Sequence, residues 1–319
     1  MSFKSYTRPP AWQGNAVFER SARFSQPLEN LFQDIANGYL PSERDSSLRR
    51  EIHKELELKS GVLFHESSTL NRLDANAFHS VFNVFCLWLG FPVPINQQGH
   101  YLKEVCDHGV RDSLNTPQRG HLTNQALAFH SDRADITVLG CWSPAAKGGA
   151  FRIRSSADVI KQVEQLRPAW FPYLNTPIAH DLRDEGEQPW ILVPLLSETE
   201  NLFILRYIRK FSDSVSRHGI TQPQAVHQML TEIDSIIEQP DHYAQLDFKK
   251  GMLVAVNNHI TLHARTCFEN NAQFQRCLLR CWLSSEFTRP LPKSFQPLFH
   301  NVAAGTPRGG IWSKKGMEE

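Results

Sequence analysis

Residues 127–132 read Leu-Ala-Phe-His-Ser-Asp, and the fold and chemistry of this chain can be worked out from them. The apolar run Leu127–Phe129 predicts a strand, in which successive side chains alternate between two faces. His130 and Asp132 then point to the same side where that strand ends. An imidazole and a carboxylate on one face supply two of the three ligands of a 2-His-1-carboxylate metal site, whose usual occupant is non-haem Fe(II).

The His-x-Asp pair is not specific by itself, because the chain holds 14 His and 33 acidic residues among 319. A second pair of this kind, His53 with Glu55, lies in the charged stretch 49–55. That stretch predicts a solvated helix face. We therefore expect no ligands there and look for the third ligand downstream of Asp132.

His259 and His263 are the candidates for the third ligand. They lie four residues apart in the stretch 257–265, which reads Asn-Asn-His-Ile-Thr-Leu-His-Ala-Arg. On a strand, residues four apart share a face, so the alternation of side chains leaves both histidines open as ligands.

Two arginines follow in the stretch 275–283, which reads Gln-Arg-Cys-Leu-Leu-Arg-Cys-Trp-Leu and predicts a strand. Arg276 and Arg280 share one face of it. Two arginines on an inward face are costly unless each meets an anion, and a guanidinium matches a carboxylate in a bidentate way. Beside an iron site, these arginines indicate a dicarboxylate cosubstrate.

The composition excludes several classes of protein. The net charge of +1 gives no indication of a nucleic-acid or acidic-membrane partner, and no apolar run is long enough to span a bilayer. The six cysteines contain no Cys-x-x-Cys pair, which argues against a disulfide framework and a thiolate zinc site. We expect a cytoplasmic enzyme with a small-molecule substrate, and the sequence leaves its oligomeric state open.

The pattern of elements predicts one domain over residues 1–319, mainly β with helical elaboration. Residues 1–60 are expected to form an irregular surface arm and helices, 61–310 a jelly-roll core with inserted helices, and 311–319 a polar tail. Helices are predicted over 27–40, 46–58, 74–89 and 155–166, and from Pro223 onward. Short β-prone runs between them predict the strands.

The ordered set of motifs resembles the Fe(II)/2-oxoglutarate-dependent oxygenases of the taurine dioxygenase and clavaminate synthase-like superfamily. The resemblance covers roughly residues 60–310. It rests on His130-x-Asp132, Gly148-Gly149, Asn257-Asn258, Leu262-His263-x-Arg265, Arg276-x-x-x-Arg280 and Arg308-Gly309-Gly310. It implies a double-stranded β-helix, a jelly-roll barrel of the cupin-like type.

The resemblance also implies roles for individual residues. His130, Asp132 and His263 would hold Fe(II), with His263 preferred over His259 because Leu-His-x-Arg fits the family. Arg276 would clamp the distal carboxylate of 2-oxoglutarate and Arg280 would bind an anionic group of the substrate, although these two roles could be exchanged. Because Asp132 is intact, halogenation is disfavoured.

One position departs from the family pattern. Members often carry a threonine shortly after the Gly-Gly pair, and here that position is Phe151. The cosubstrate pocket is therefore expected to be completed differently, by residues drawn from Thr123, Gln125 and Ser156. Asn124 and Arg265 are predicted to contact the substrate, whereas Arg206 and Arg209 could line a pocket or a wet edge.

The predicted activity is hydroxylation of an unactivated C–H bond by O₂, with 2-oxoglutarate converted to succinate and CO₂. The expected substrate is small, polar and anionic, such as an amino acid or a derivative in specialised metabolism. Desaturation or epoxidation would use the same ligands. A non-catalytic binding module and a zinc hydrolase are the alternatives from other classes. The arm before Leu28 and residues 181–188 are candidate lids.

Overall fold

The computed structural model describes residues 3–42, 45–109 and 122–312. The α-helices within these ranges are α1 Ala16–Glu19, α2 Ser25–Ala36, α3 Ser46–Leu58, α4 Ser68–Arg72, α5 Ala75–Leu89, α6 Ser156–Leu166, α7 Arg209–Asp213, α8 Gln224–Ile237 and α9 Gln296–Phe299. Short 3-10 helices lie at Ala22–Phe24, Phe171–Asn175, Ser214–His218, Pro240–His242 and Lys293–Phe295.

The strands are short. They are β1 Val62–Glu66, β2 Phe91–Val93, β3 Leu102–Cys106, β4 Leu127–His130, β5 Ile136–Ser143, β6 Lys147–Gly148, β7 Phe151–Ser155, β8 Ile178–Asp181, β9 Trp190–Val193, β10 Leu196–Thr199, β11 Leu202–Leu205, β12 Tyr243–Leu246, β13 Met252–Asn257, β14 Thr261–Arg265, β15 Phe268–Glu269 and β16 Cys277–Ser284.

Two antiparallel sheets form the centre of the fold. The major sheet has the order β1-β13-β5-β16-β2, with β3 also paired to β16, and the minor sheet has the order β12-β7-β14-β4. Side chains from both sheets share one buried cluster, in which Leu139, Val254 and Leu278 meet Phe151 and Ile153. This pairing of non-consecutive strands across a common core is the arrangement of a jelly roll, so the predicted fold class is confirmed.

Helices cover the other face of the major sheet. The apolar stripe of α5 buries Phe78, Phe82 and Phe85 against this face, each fully removed from solvent. Burial of one such side chain contributes roughly 1.5–3 kcal/mol to stability. At Gly140 of β5 the helix comes so close that an added Cβ would lie 2.7 Å from the Phe82 ring. A side chain at Gly140 would therefore push α5 away from the sheet.

The minor sheet is covered on its outer face by α6 and α8. Val163 of α6 and Ile233 of α8 pack with Leu262 and Ala264, which are the outward-facing residues of β14. Because side chains alternate along a strand, the intervening residue His263 points inward. The helices therefore decide which face of β14 is available for chemistry.

The C-terminal segment is tied into the fold by buried ion pairs. Arg308 Nη2 lies 2.8 Å from Asp135 Oδ1, and Arg289 Nε lies 3.1 Å from Glu57 Oε2. Gly310 then donates its backbone N–H to the carbonyl of Arg133 at 2.7 Å. The Arg-Gly-Gly motif thus fixes the backbone directly after Asp132.

Some local predictions were wrong. His53 and Glu55 do not lie on a solvated face, because both are buried and His53 Nε2 lies 2.7 Å from the Leu89 carbonyl oxygen. The segment before Leu28 is more than a surface arm, since it contains helical turns and buries Tyr6 and Trp12. The charge pattern of a segment describes its own composition, and it does not predict which other element of the fold packs against that segment.

The expected C-terminal tail is only partly covered by the described residues. The residues expected as a polar tail, 311–319, begin with Ile311, which is buried, and those from 313 onward lie outside the described residues. Across the described ranges, no helix has the length and apolar character needed to cross a membrane.

Candidate metal centre and pocket

The two predicted histidine ligands lie opposite each other on neighbouring strands. His130 of β4 pairs in register with His263 of β14, and their ring centroids are 4.4 Å apart. Asp132 lies between them, with Oδ1 3.7 Å from His130 Nε2 and Oδ2 3.5 Å from His263 Nε2. One donor atom from each of the three lies within 4.8 Å of the other two. Three convergent N and O donors of this kind can hold one metal ion.

The environment of His130 sets the tautomer and the charge of its ring. Its Nδ1 lies 2.9 Å from the Ala128 carbonyl oxygen, so Nδ1 carries the proton and Nε2 keeps a lone pair. Burial, assisted by the nearby His263, lowers the pKa of His130 to about 4. The ring is therefore neutral near pH 7, as a ligand must be.

Asp132 is held by donors that the sequence did not reveal. Its Oδ2 accepts hydrogen bonds from Thr137 Oγ1 at 2.7 Å and from Trp282 Nε1 at 2.9 Å. Asn258 extends the network, because its Oδ1 accepts from the Asp132 backbone N–H at 3.1 Å and its Nδ2 donates to Thr137 Oγ1 at 3.0 Å. These contacts fix the orientation of the carboxylate toward His130 and His263.

The charge of Asp132 is also stabilised. Burial raises its pKa, but the hydrogen bond and charge of His263 and the charge of Arg280 outweigh burial and hold the pKa well below the ordinary value. Trp282 could have been predicted, because it lies two residues after Arg280 on the same face of β16. Thr137 and Asn258 carry no comparable local signal.

His259 is not part of this cluster. It lies in the turn before β14, where its Nε2 is 2.6 Å from Asp135 Oδ1. Asp135 also pairs with Arg308, so His259 belongs to the buried network that anchors the C-terminal segment. The structure thus separates the two histidines that the strand pattern had left as equal candidates.

A cavity of about 470 Å³ opens beside the candidate metal ligands, and His130 and Asp132 form part of its wall. The basic residues that line it outnumber the acidic ones. The described lining contains Arg133, Arg183, Arg206, Arg209, Lys210 and Arg280 on the basic side, and Asp132, Asp181 and Glu185 on the acidic side. The pocket is therefore electropositive and suits an anionic ligand.

The two arginines predicted from β16 occupy different places. Arg280 lines the pocket and its guanidinium lies 4.9 Å from the Trp282 ring centroid. Arg276 lies outside the pocket lining, is 3% exposed, and its Nη1 has no hydrogen-bond partner among the described residues. Burial lowers the pKa of Arg276 to about 10. It remains a cation at neutral pH and forms no ion pair with a carboxylate of the described residues.

Gly149 makes room for Arg276. The glycine has φ +74°, and an added Cβ would lie 3.1 Å from Arg276 Nε and 3.1 Å from Phe268 Cβ. The second glycine of the Gly-Gly motif is therefore required both by its left-handed backbone and by the close approach of the arginine. Phe151, which follows, places its ring 5.6 Å from the His263 ring.

The other predicted site residues are only partly brought together. Gln125 lines the pocket, whereas Thr123 is buried and Asn124 is exposed outside the lining. Arg265 Nη2 donates to the carbonyl oxygens of Thr123, at 2.8 Å, and of Gln125. Arg265 therefore holds the loop that leads into β4. Ser156 is buried at the start of α6 and is absent from the described pocket lining.

Two arginines left open by the sequence are now placed. Arg206 is buried and lines the pocket, and Arg209 pairs with Asp213 at 2.9 Å and with Asp234 at 2.7 Å. The candidate lid 181–188 contributes Asp181, Leu182, Arg183 and Glu185 to the pocket wall. The arm before Leu28 contributes none to the described lining.

Comparisons with known proteins agree with this architecture. Residues 25–282 match the model of the taurine catabolism dioxygenase TauD, TfdA family. The chain is 27% identical over 270 residues to FR-33289 synthase of Streptomyces rubellomurinus (strain ATCC 31215), covering 82% of this chain and 80% of the relative.

Solved structures share the fold at low sequence identity. The non-haem iron oxygenase OrfP in complex with Fe and alpha-ketoglutaric acid superposes with a TM-score of 0.58 at 15% identity, over 88% of this chain and 95% of OrfP. Asparagine oxygenase gives a TM-score of 0.57 at 17% identity, over 75% and 79% of the two chains. The chain therefore belongs to the taurine catabolism dioxygenase TauD, TfdA family and is a non-haem iron dioxygenase that uses Fe(II), 2-oxoglutarate and O₂.

Proposed function

We propose that this enzyme hydroxylates an unactivated C–H bond of a small, polar, anionic molecule. The observation that carries the proposal is the electropositive pocket that opens directly on His130 and Asp132. An amino acid or a derivative fits the size of this cavity, and a role in natural-product biosynthesis fits the relative named FR-33289 synthase. Structures of asparagine oxygenase and OrfP with hydroxylated amino acids support the same substrate class.

His130, Asp132 and His263 would hold the iron. The three donors fit Fe(II) because both imidazoles and the carboxylate converge, the tautomer of His130 leaves Nε2 free, and Asp132 is ionised. A facial triad leaves open positions for a cosubstrate and O₂. The bound iron and 2-oxoglutarate supply the oxidising chemistry, while the protein orients the substrate and limits access of water.

Arg276 would bind the distal carboxylate of 2-oxoglutarate. A buried guanidinium without a carboxylate partner is costly, and a cosubstrate that brings its own carboxylate removes that cost. The position of Arg276 outside the substrate cavity supports this role. Arg280 lines the cavity beside Trp282 and would bind an anionic group of the substrate.

Gln125 is the remaining predicted polar contact that lines the cavity, and we assign it to ligand binding. Arg265 and Thr123 would act indirectly, since the hydrogen bonds of Arg265 hold the loop that carries Gln125. Asn124 and Ser156 lie outside the described lining of this cavity, so we assign neither a contact with the substrate.

The first experiment is anaerobic and needs no substrate. Fe(II) and then 2-oxoglutarate are added to the protein, and the visible metal-to-ligand charge-transfer band is recorded. We expect the band in the wild type, its loss in His130→Ala, and a weaker apparent affinity for 2-oxoglutarate in Arg276→Gln. Arg152→Gln, which alters a half-buried arginine of β7, is the matched control.

Absence of the band in folded, iron-loaded protein would refute the proposed oxygenase mechanism. With the band established, acidic amino acids and their derivatives are screened for substrate-dependent succinate formation. Mass spectrometry of the product then separates hydroxylation, which adds one oxygen atom, from desaturation, which removes two hydrogen atoms. Epoxidation also adds one oxygen atom and is separated by the loss of a carbon–carbon double bond.

A further inference from the structure

Arg206 is a buried arginine in the pocket wall whose hydrogen bonds are only partly made. It follows β11 and is 3% exposed. Its Nη1 donates to the backbone carbonyl oxygens of Ser131 at 3.2 Å and of Asp132 at 2.8 Å. Its Nε and Nη2 are also buried, and neither has a hydrogen-bond partner among the described residues.

Three other buried arginines of this chain pair with a carboxylate among the described residues. Arg289 pairs with Glu57, Arg308 pairs with Asp135, and Arg154 pairs with Asp158. Arg206 forms no ion pair with a described residue. The nearby carboxylate of Asp132 stabilises its charge, but that carboxylate would be a ligand of the metal. An unpaired buried charge is unfavourable, so the contrast indicates that the partner of Arg206 arrives with a ligand.

The surroundings of Arg206 strengthen the positive potential. Burial and then the charge of Arg133 lower the pKa of Arg206 to about 9, which still leaves it charged at neutral pH. His180 is buried nearby and stays neutral, because burial and then the charges of Arg206 and Arg133 hold its pKa well below the ordinary value. Its Nε2 also has no hydrogen-bond partner among the described residues.

The charges of the metal and cosubstrate do not neutralise this wall. Dipositive iron and the dianion of 2-oxoglutarate cancel each other, so the excess of basic over acidic residues in the described lining remains. Arg280 can take one anionic group, which leaves Arg206 without one. The Nε and Nη2 atoms form one edge of the guanidinium, and this edge binds two oxygens of an oxyanion in a bidentate way.

We propose that Arg206 binds a second anionic group of the substrate, so that the substrate carries two oxyanion groups, one held by Arg280 and the other by Arg206. This inference rests on the proposed function and narrows its substrate class to small dianions or polyanions. Because Nη1 is bonded to the Asp132 carbonyl, the second group is held in a fixed position relative to a metal ligand. Arg206 would then help to select which C–H bond faces the iron.

The test uses protein loaded anaerobically with Fe(II) and 2-oxoglutarate. Inorganic phosphate, methylphosphonate and acetate are titrated at constant ionic strength, and the charge-transfer band and the thermal unfolding midpoint are followed. We expect saturable binding of an oxyanion to the wild type. In Arg206→Gln the affinity should fall by about tenfold or more, because a charge-assisted bidentate contact is lost.

Two further variants separate direct contact from bulk charge. Arg183→Gln removes one positive charge from the same pocket at a half-buried side chain, and it should change the affinity less than threefold. Arg206→Lys keeps the positive charge but lacks the two-donor edge of the guanidinium, so its anion affinity should fall between those of the wild type and Arg206→Gln. It also serves as the informative variant if Arg206→Gln does not fold.

The outcomes distinguish this inference from the proposed function. Loss of the charge-transfer band in the wild type would overturn the proposed function itself. A normal band together with equal anion affinities in the wild type, Arg206→Gln and Arg206→Lys would overturn only the role of Arg206, and so would the absence of saturable anion binding. Preferred binding of phosphate and methylphosphonate identifies a tetrahedral oxyanion, and preferred binding of acetate identifies a carboxylate.

Discussion

Trp282→Phe should weaken Fe(II) binding while leaving the fold intact. The indole Nε1–H donates to Asp132 Oδ2 at 2.9 Å, and phenylalanine keeps the apolar ring under Arg280 while removing this donor. A hydrogen bond to a charged group contributes about 1.5–3 kcal/mol. Since about 1.4 kcal/mol corresponds to a tenfold change in affinity, we expect Fe(II) affinity to fall by about 10- to 100-fold.

The assay for this prediction is anaerobic titration of Fe(II) at saturating 2-oxoglutarate, followed by the charge-transfer band. Trp142→Phe is the matched control, because Trp142 packs against the helical side of the major sheet, away from Asp132. Its Fe(II) affinity should match that of the wild type. Thr137→Val removes a second donor to Asp132 Oδ2, at 2.7 Å, and should weaken binding to a similar degree.

Equal Fe(II) affinity for the wild type and Trp282→Phe, with both proteins folded, would refute the reasoning. It would mean that the hydrogen bond does not orient the carboxylate for the metal. A loss of affinity that is matched by an equal loss in Trp142→Phe would also refute it, because the effect would then come from general loosening of the major sheet.

Three further predictions concern stability and cosubstrate binding. Burial lowers the pKa of His53 to about 4, so the folded state resists protonation of this ring. The contribution of neutral His53 to the free energy of unfolding is fully present above pH 6.5 and is lost as the pH falls toward 4. Between pH 7 and 5.5 His53 should account for a loss of about 1 kcal/mol, seen as a steeper pH dependence of urea unfolding than in His53→Gln; equal slopes would contradict it. Arg308→Ala strands the buried carboxylate of Asp135 and should cost about 3–5 kcal/mol in urea unfolding, and a loss below about 1 kcal/mol would show that the ion pair is not needed. Gly149→Ala should weaken 2-oxoglutarate binding at least about tenfold, because the added Cβ would lie 3.1 Å from the buried side chain of Arg276. Gly99 has a similar φ of +79° and nothing within 4 Å of an added Cβ, so Gly99→Ala should bind 2-oxoglutarate normally. Equal affinities of the two variants would exclude the steric argument.

Local periodicity was sufficient to predict much of the fold and to suggest two of the three candidate metal ligands. The apolar stripe of α5, the alternation that places His130 beside Asp132, and the arginine pair around β16 depend only on the geometry of single elements. The order of motifs then identified the family, and the structure brings the predicted ligands His130, Asp132 and His263 together.

Errors arose where a neighbouring element decides the environment. His53 and Glu55 read as solvated because their segment is charged, yet both are buried where that helix packs into the fold. A substrate contact by Arg265 stays a prediction, and the described hydrogen bonds of this side chain hold a loop. Composition describes a segment by itself, and it contains no information about what covers that segment.

The sequence by itself determined the fold class and the family, and it predicted which side chains would bind iron and an anion. Only the tertiary structure decided that Trp282 and Thr137 orient Asp132, that His259 pairs with Asp135, and that Arg206 lines the pocket. These contacts join residues from separate strands and turns. Their partners are chosen by sheet order and register, which side-chain periodicity along a single strand does not specify.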